Sequence, residues 1–239
     1  MINLKNALQF GLCLATLLAV TPAGAADKAD KEKSDVAERL TEASNVFKAV
    51  AEAPDKGIPT DLLRDAHCAV IVPSLKKGGF IVTAKYGKGF LTCRRPTAGW
   101  SAPAAIRIEG GGLGFQIGGS ETELILLVMN EHGAKRLMSS QFTLGAEGEV
   151  AAGPVGRNAS AQTDAKLTAE ILSWSRSRGV FGGVSLQAAT LREDQDDNAA
   201  LYGKKMSTEQ VVNSSLPVPA AARPLVQVLS AHSLVEKKD

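Results

Sequence analysis

The chain has 239 residues, of which 44% are hydrophobic and 22% charged, and its formal net charge is +2. A chain of this length can form one domain with a sizeable core, and its near-neutrality argues against a dedicated nucleic-acid-binding protein. The three histidines, His67, His132 and His232, show no metal-ligand spacing with one another or with a cysteine, so no metal site and no cofactor is predicted.

Residues 1–25 are predicted to be a cleavable secretory signal. Lys5 gives a weakly positive start, residues 7–20 form an apolar stretch, and an Ala-Gly-Ala cleavage site follows. The apolar stretch is shorter than the roughly 18 to 20 residues that a membrane-spanning helix needs. We therefore expect cleavage between Ala25 and Ala26, and a periplasmic or secreted protein that is not an integral membrane protein.

The next segment is charged and alanine-rich, and residues 26–33 are predicted to be a flexible leader. From about Ser34 an apolar residue recurs every three or four positions, which predicts an amphipathic helix that Pro54 ends. The apolar stripe consists of Val36, Leu40, Ala43, Phe47 and Val50. The polar face carries mixed charges, which favours packing on the protein's own sheet over insertion into lipid. A short helix is predicted at residues 61–66.

The region from Cys68 onward has a sequence pattern typical of β-strands. Strands are predicted at residues 68–72, 79–86, 90–94, 104–108, 113–117 and 123–129. Between the second and the third, Gly87-Lys88-Gly89 predicts a hairpin turn. Cys68 and Cys93 lie in strand-like runs, and an oxidising compartment favours a disulfide between them, which would contribute roughly 3 kcal/mol. The alternative is a pair of buried thiols.

The rest of the sequence mixes helices and strands. Helices are predicted at residues 131–138, 207–214 and 220–234, and strands at 149–156, 167–177 and 180–191, with 170–174 equally compatible with a helix. Because no linker divides the chain, residues 34–239 are expected to form a single α+β domain. The hairpin-length spacings favour a curved, mainly antiparallel sheet, open or partly closed into a barrel, with helices at both ends.

No arrangement of residues identifies an active site, so the chain is predicted to be non-enzymatic. Ser185 comes nearest to a nucleophile elbow but lacks the second glycine. Strand-like residues follow Gly110-Gly111-Gly112, so turns or close packing explain these glycines better than a phosphate loop. The acidic residues at 193–198 lack the glycine and the closing glutamate of a calcium loop. That cluster indicates a solvated loop or a helix start, or a partner for a basic surface elsewhere.

One charge pattern indicates an anionic ligand. No acidic residue occurs between Asp65 and Glu109, whereas the same stretch contains seven cations with aromatic residues among them. These cations are Lys76, Lys77, Lys85, Lys88, Arg94, Arg95 and Arg107. Such a patch suits anionic lipid head groups, at about 1 kcal/mol for each surface cation. The alternative is a solvated face that the acidic cluster neutralises.

Two segments of the sequence resemble those of a known family. The first, residues 68–94, begins Cys-Ala-Val-Ile-Val-Pro-Ser-Leu-Lys-Lys-Gly-Gly-Phe and continues through Tyr-Gly-Lys-Gly-Phe to Cys-Arg. The second, residues 182–203, begins Gly-Gly-Val-Ser-Leu-Gln and ends in Asp-Asn and Tyr-Gly pairs. Over about residues 43–212 the chain resembles the SYLF domain, the Ysc84-type lipid-binding module, in a bacterial exported form.

The resemblance implies a non-enzymatic protein that binds lipid, since eukaryotic members bind phosphoinositide-containing membranes and some also bind actin. It makes Lys76, Lys77, Lys85 and Lys88 candidates for head-group contact. An exported protein meets neither actin nor, ordinarily, phosphoinositides, so lipid binding transfers as a class and the particular ligand does not. We expect a cell-envelope protein that binds lipid or anionic head groups through its basic hairpin. The alternative is an envelope structural or protein-interaction module without a lipid ligand.

Overall fold

The computed structural model describes residues 23–53, 57–95, 99–154, 169–177, 180–182, 186 and 189–233. The predicted α+β class is confirmed, because these residues form one curled, mainly antiparallel seven-stranded sheet with helices from the N-terminal and C-terminal regions packed on it. Nearly all of the predicted signal, residues 1–22, lies outside the described residues, so the signal stays a prediction. Within the described part of the chain, no helix has the length and apolar character needed to cross a membrane.

The helices are α1 Ala23–Ala51, α2 Thr60–Asp65, α3 Glu131–Leu137, α4 Gln195–Tyr202, α5 Thr208–Asn213 and α6 Arg223–His232, which follows a 3-10 turn at Ala220–Ala222. The strands are β1 Cys68–Cys93, β2 Ala104–Val128, β3 Gln141–Thr143, β4 Val150–Ala152, β5 Ile171–Ser177, β6 Val180–Gly182 and β7 Ala189–Glu193. The sheet order is β3-β7-β2-β5-β4, with β1 also paired to β2 and β6 to β5. The pairing of β4 with β5 is parallel, and the other described pairings are antiparallel.

Helix α1 begins earlier than the sequence pattern predicted. Residues 26–33 lie within the helix rather than in a flexible leader, since alanine, lysine and glutamate favour helix and neither glycine nor proline interrupts the run. The predicted apolar stripe is confirmed, and Leu40 and Phe47 are fully buried in it. Helix α1 packs against β1, α4 and α6, so its apolar face is covered by the protein's own fold, as expected.

The long central region contains two strands rather than six. The strands predicted at residues 68–94 are one continuous strand, β1, and those predicted at 104–129 are likewise one strand, β2. The two pair along almost their whole length as a ribbon. Its first register shift lies at Pro73, which has no N–H for the ladder, and its second at Gly79, whose φ of +151° favours glycine.

The hairpin turn predicted at Gly87-Lys88-Gly89 is wrong, because these residues lie inside β1 and pair with β2. Gly87 and Gly89 serve close packing instead, since the ribbon folds back on itself at this point. A Cβ atom on Gly89 would stand 2.2 Å from the carbonyl oxygen of Ile71, and one on Gly87 would stand 2.7 Å from that of Ser74. Only a residue without a side chain lets these backbone segments approach so closely.

The fold-back brings the two ends of β1 together. The Sγ atoms of Cys68 and Cys93 are 2.03 Å apart, and their Cα atoms are 3.9 Å apart. Next to this pair, the N–H of Arg94 donates to the carbonyl oxygen of His67 at 2.8 Å. We call residues 68–75 and 87–93 the closed end of the ribbon, and residues 76–86 and 110–120 the ribbon tip.

Apolar side chains of the ribbon alternate between two cores. Leu126 lies with Phe142 and residues of α5 on one side of the sheet, whereas Ile125 lies with α1, α2 and α6 on the other. The predicted helix at 131–138 is confirmed as α3, and the segment open to either structure at 170–174 is largely strand β5. Both faces of the closed end are covered, whereas no residue of the ribbon tip whose side chain the structure describes belongs to either core.

Candidate functional site

Six cations of the predicted basic patch were candidates for binding lipid or anions, and they do not form one surface: Lys76, Lys77, Lys85, Lys88, Arg94 and Arg95. Lys88, Arg94 and Arg95 lie in the closed end or directly after it, and each has defined partners among the described residues. Lys76, Lys77 and Lys85 lie in the ribbon tip. The structure therefore divides these six cations between the closed end and the ribbon tip.

Lys88 is held in a cluster of ion pairs. Its Nζ is 2.8 Å from Asp194 Oδ2 and 2.9 Å from Asp197 Oδ1, and both aspartates are buried. Nη1 of Arg39, from α1, is 2.5 Å from the second carboxyl oxygen of Asp197. Burial disfavours the charged form of Lys88, but the hydrogen bonds and charges of the two aspartates outweigh it and raise the pKa of the lysine. The cluster neutralises this part of the predicted basic patch.

The acidic segment that supplies these carboxylates is the start of a helix, one of the structures that its sequence indicated. Asp194 caps α4 by accepting from the N–H of Asp197 at 3.2 Å. Asn198 is fully buried, accepts from the N–H of Ala105 at 2.7 Å and donates to the carbonyl of Met206 at 2.9 Å. The Asp-Asn pair therefore joins α4 to the ribbon.

Arg94 and Arg95 also serve the fold. The guanidinium of Arg94 donates to the carbonyl oxygens of Leu63 and Ala66 at 2.7 and 3.0 Å, and it lies 4.7 Å from the centre of the Trp100 ring. Burial lowers the pKa of Arg94. Arg95 donates to the carbonyl oxygen of Ser214 at 3.0 Å. These contacts join the closed end to α2 and to the segment after α5.

The remaining three predicted cations share the ribbon tip, which contains three lysines and no acidic residue. Lys76 and Lys77 line an open groove of about 1140 Å³ together with Tyr86 and Arg176 of β5. Burial lowers the pKa of Lys85, and the charge of Lys77 lowers it further. The ammonium groups of Lys77 and Lys85 are therefore close enough to repel each other.

Two carboxylates line the same groove, on the side away from the tip's end. Glu123 forms an ion pair with Arg176, and Glu121 accepts a hydrogen bond from the hydroxyl of Ser74. Glu121 also stands directly opposite Lys76 in the register of β1 and β2. The groove is mixed in charge at its base, and its positive excess lies toward the tip.

An apolar stripe accompanies the lysines of the tip. Val82, Ala84 and Tyr86 alternate along β1 and are all exposed, which places them on one face of the ribbon. Val82 is 63% exposed and Tyr86 47%, and they are the exposed large hydrophobic residues among those whose side chains the structure describes. The sequence pattern had included Tyr86 among the interleaved aromatics but had missed Val82. The available signal was its period-two spacing with Tyr86 in a lysine-flanked strand.

The fold and the cationic ribbon tip define an α+β binding domain built around one folded-back ribbon. A family model, Ysc84, described as "Las17-binding protein actin regulator", matches residues 109–232. The chain belongs to the Ysc84 family, as the sequence resemblance predicted.

Several curated proteins are similar to most of this chain. SH3 domain-containing YSC84-like protein 1 of Homo sapiens is 34% identical over 179 residues, which cover 74% of this chain and 52% of that protein. An SH3 domain-containing protein of Schizosaccharomyces pombe is 35% identical over 178 residues, 73% of this chain and 41% of that protein. Protein YSC84 of Saccharomyces cerevisiae is 29% identical over 206 residues, 85% of this chain and 43% of that protein. The chain thus spans about half the length of the curated relatives it matches.

Proposed function

We propose that this protein is a non-enzymatic binding protein that attaches to anionic lipid surfaces through its ribbon tip. The observation that carries this proposal is the presence, on one projecting element, of three lysines without an acidic residue and two exposed apolar side chains. Surface cations attract anionic head groups at about 1 kcal/mol each, and tyrosine favours the membrane interface.

The charges within the tip support an anionic ligand. Burial lowers the pKa of Lys85, and the charge of Lys77 lowers it further, so both disfavour the charged form of Lys85. An anion bound near the two lysines would reduce their repulsion and favour the charged form of Lys85. Lys88, Arg94 and Arg95 are omitted from the proposed surface, since their partners hold them in the fold.

Vesicle flotation of residues 26–239, the predicted processed form, tests the proposal. Vesicles of phosphatidylcholine with graded phosphatidylglycerol would be used at low and high salt, with the variant Lys76→Ser, Lys77→Ser, Lys85→Ser. The matched control, Lys48→Ser, Lys135→Ser, Lys204→Ser, removes the same charge from exposed positions outside the tip. We expect flotation that rises with anionic lipid, falls with salt and is lost only in the tip variant.

Flotation of the tip variant equal to that of the control would contradict the assignment of the tip. A wild type that never floats would contradict lipid binding itself.

A second candidate function is protein binding, which the description of the family as Las17-binding and actin-regulating favours. A groove of about 930 Å³ beside the closed end, lined by residues that include Arg95, Glu131 and Glu209, has both charges and room for a partner segment. Co-sedimentation with actin filaments would be measured for the wild type, for the variants that float with vesicles and for those that do not. This comparison separates protein binding from lipid binding.

We also propose that the chain acts as a cell-envelope protein, exported with its first 25 residues removed and with Cys68 bonded to Cys93. The apolar N-terminal pattern and the distance between the two Sγ atoms support this. Intact-mass measurement of the protein from fractionated bacterial cells tests both points. We expect a periplasmic or secreted species that begins at Ala26 and gains two hydrogens on reduction, whereas a cytoplasmic species starting at Met1 would contradict export.

A further inference from the structure

We propose that the ribbon tip inserts into the interfacial layer of the membrane, with Val82 and Tyr86 as its anchors. This inference rests on the proposed lipid binding and adds how deep the protein goes and which side chains enter the membrane. The two anchors are four residues apart in β1, so they lie on the same face of the strand, with Ala84 between them.

The strand facing this stripe has a glycine opposite its middle residue. Ala84 pairs with Gly111 in the register, and the neighbouring pair is Thr83 with Gly112. A Cβ atom on Gly111 or Gly112 would meet nothing nearer than 3.5 Å, so the packing of the fold does not require glycine at either position. Glycine therefore leaves room beside Ala84, whereas in the register Val82 stands opposite Leu113 and Tyr86 opposite Glu109.

The charges of the tip favour an anionic membrane over a second copy of the tip as the partner of this apolar surface. Two copies of the tip would bring together two sets of three lysines without any carboxylate of the tip to balance them. An anionic membrane instead provides negative charge for Lys76, Lys77 and Lys85 together with an apolar layer for Val82 and Tyr86. Lysine stems can extend along apolar surface while their ammonium groups stay at the head-group level.

The backbone limits how deep the tip can go. In the described structure β2 pairs with β7 up to Gly110 and with β5 from Glu123, and no described strand pairs with the outer edge of the stretch between them. Unpaired backbone N–H and C=O groups are costly in hydrocarbon, whereas head groups and water can satisfy them at the interface. The geometry therefore points to shallow insertion rather than to a membrane-spanning ribbon.

Tryptophan quenching by brominated lipids measures this insertion directly. The native Trp100 and Trp174 are buried, so they provide a constant background, and Val82→Trp places a reporter at the tip. Lys135→Trp is the matched control, because Lys135 is exposed and lines the groove beside Cys68 and Cys93, at the other end of the ribbon. We expect Val82→Trp to be quenched most by bromines near the head groups, and the control to be unquenched.

A second variant tests the anchors without a reporter. Val82→Ser, Tyr86→Ser keeps the net charge and changes only exposed side chains, so we expect a folded protein whose vesicle affinity falls by about tenfold.

The outcomes separate insertion from lipid binding itself. If wild type does not float, the proposed function fails. If wild type floats but Val82→Trp is unquenched and the serine variant binds equally well, lipid binding stands and insertion is overturned. Sedimentation that shows a wild-type dimer and a serine-variant monomer would identify a second copy as the occupant, also overturning insertion.

Discussion

The closed end and the tip of the ribbon are made from the same two strands, yet most of the tip glycines whose surroundings the structure describes have room that the closed-end glycines lack. At the closed end, Gly87 and Gly89 are required because a Cβ atom at either would collide with backbone at 2.7 or 2.2 Å. At the tip, Gly78 has nothing within 4 Å of such an atom, and Gly119 has only an oxygen at 3.8 Å. Packing within the protein thus requires glycine at the closed end and also at Gly79 of the tip, where a Cβ atom would stand 2.1 Å from the carbonyl oxygen of Val82, whereas Gly78 and Gly119 have room for a side chain.

The lysines of the two regions differ in the direction in which their surroundings shift the pKa. The pKa of Lys88 is raised because two buried aspartates outweigh the effect of burial, whereas the pKa of Lys85 is lowered by burial and by a neighbouring lysine. At the closed end the positive charge of Lys88 pairs with carboxylates that hold the fold together, whereas Lys85 belongs to the surface that we propose binds an anion. The same residue type three positions along a strand therefore supports two different roles.

The largest expected effect comes from Gly89→Ala. Its added methyl group would overlap the carbonyl oxygen of Ile71, which is backbone and cannot move aside without separating the two layers of the closed end. We expect a loss of about 3 kcal/mol or more in the free energy of unfolding, measured by urea titration, or a failure to fold. An alanine variant as stable as wild type would show that the ribbon does not fold back as closely as described.

Lys88→Met is expected to lower the free energy of unfolding by less than Gly89→Ala, but still by a large amount. The change removes the cation that Asp194 and Asp197 share, and Asp197 keeps only Arg39. Removing one partner of such a cluster costs about 3 kcal/mol. Because the folded-state pKa of Lys88 is raised, its stabilisation is complete below the ordinary lysine pKa of about 10.4 and is lost as pH rises through the higher folded value.

Urea titrations of Lys88→Met and wild type at several pH values would check this prediction. We expect the difference between them to be constant near neutral pH and to shrink above about pH 10.4. Lys204→Met is the control, because Lys204 is exposed and the same change there should lower stability little or not at all. Equal losses in the two variants would remove the distinction between a structural and a surface lysine.

The sequence pattern predicted what depends on local periodicity. It identified the α+β class, the buried stripe that contains Phe47 in α1, and the stretch without acidic residues that includes the β1 part of the tip. It failed at Gly87-Lys88-Gly89, because a turn and a close approach of two backbones both call for glycine. The ion pairs of Lys88 were also beyond a local pattern, since Asp194 and Asp197 lie more than 100 residues away and only the fold brings them near.

The smallest expected effect, and the sharpest control for the closed end, is Gly119→Ala. Its Cβ atom would have nothing nearer than the carbonyl oxygen of Lys77 at 3.8 Å, which is an ordinary contact. Alanine also loses less conformational freedom on folding than glycine, so we expect the free energy of unfolding to be unchanged or higher by about 0.5 kcal/mol. Urea titrations of Gly119→Ala and Gly89→Ala in one experiment would measure the change in the free energy of unfolding at both positions, which we expect to be a loss only at Gly89. A loss at Gly119 comparable to that at Gly89 would mean that the tip, too, is shaped by packing within the protein, and the case for an outward-facing surface there would lose its glycine support.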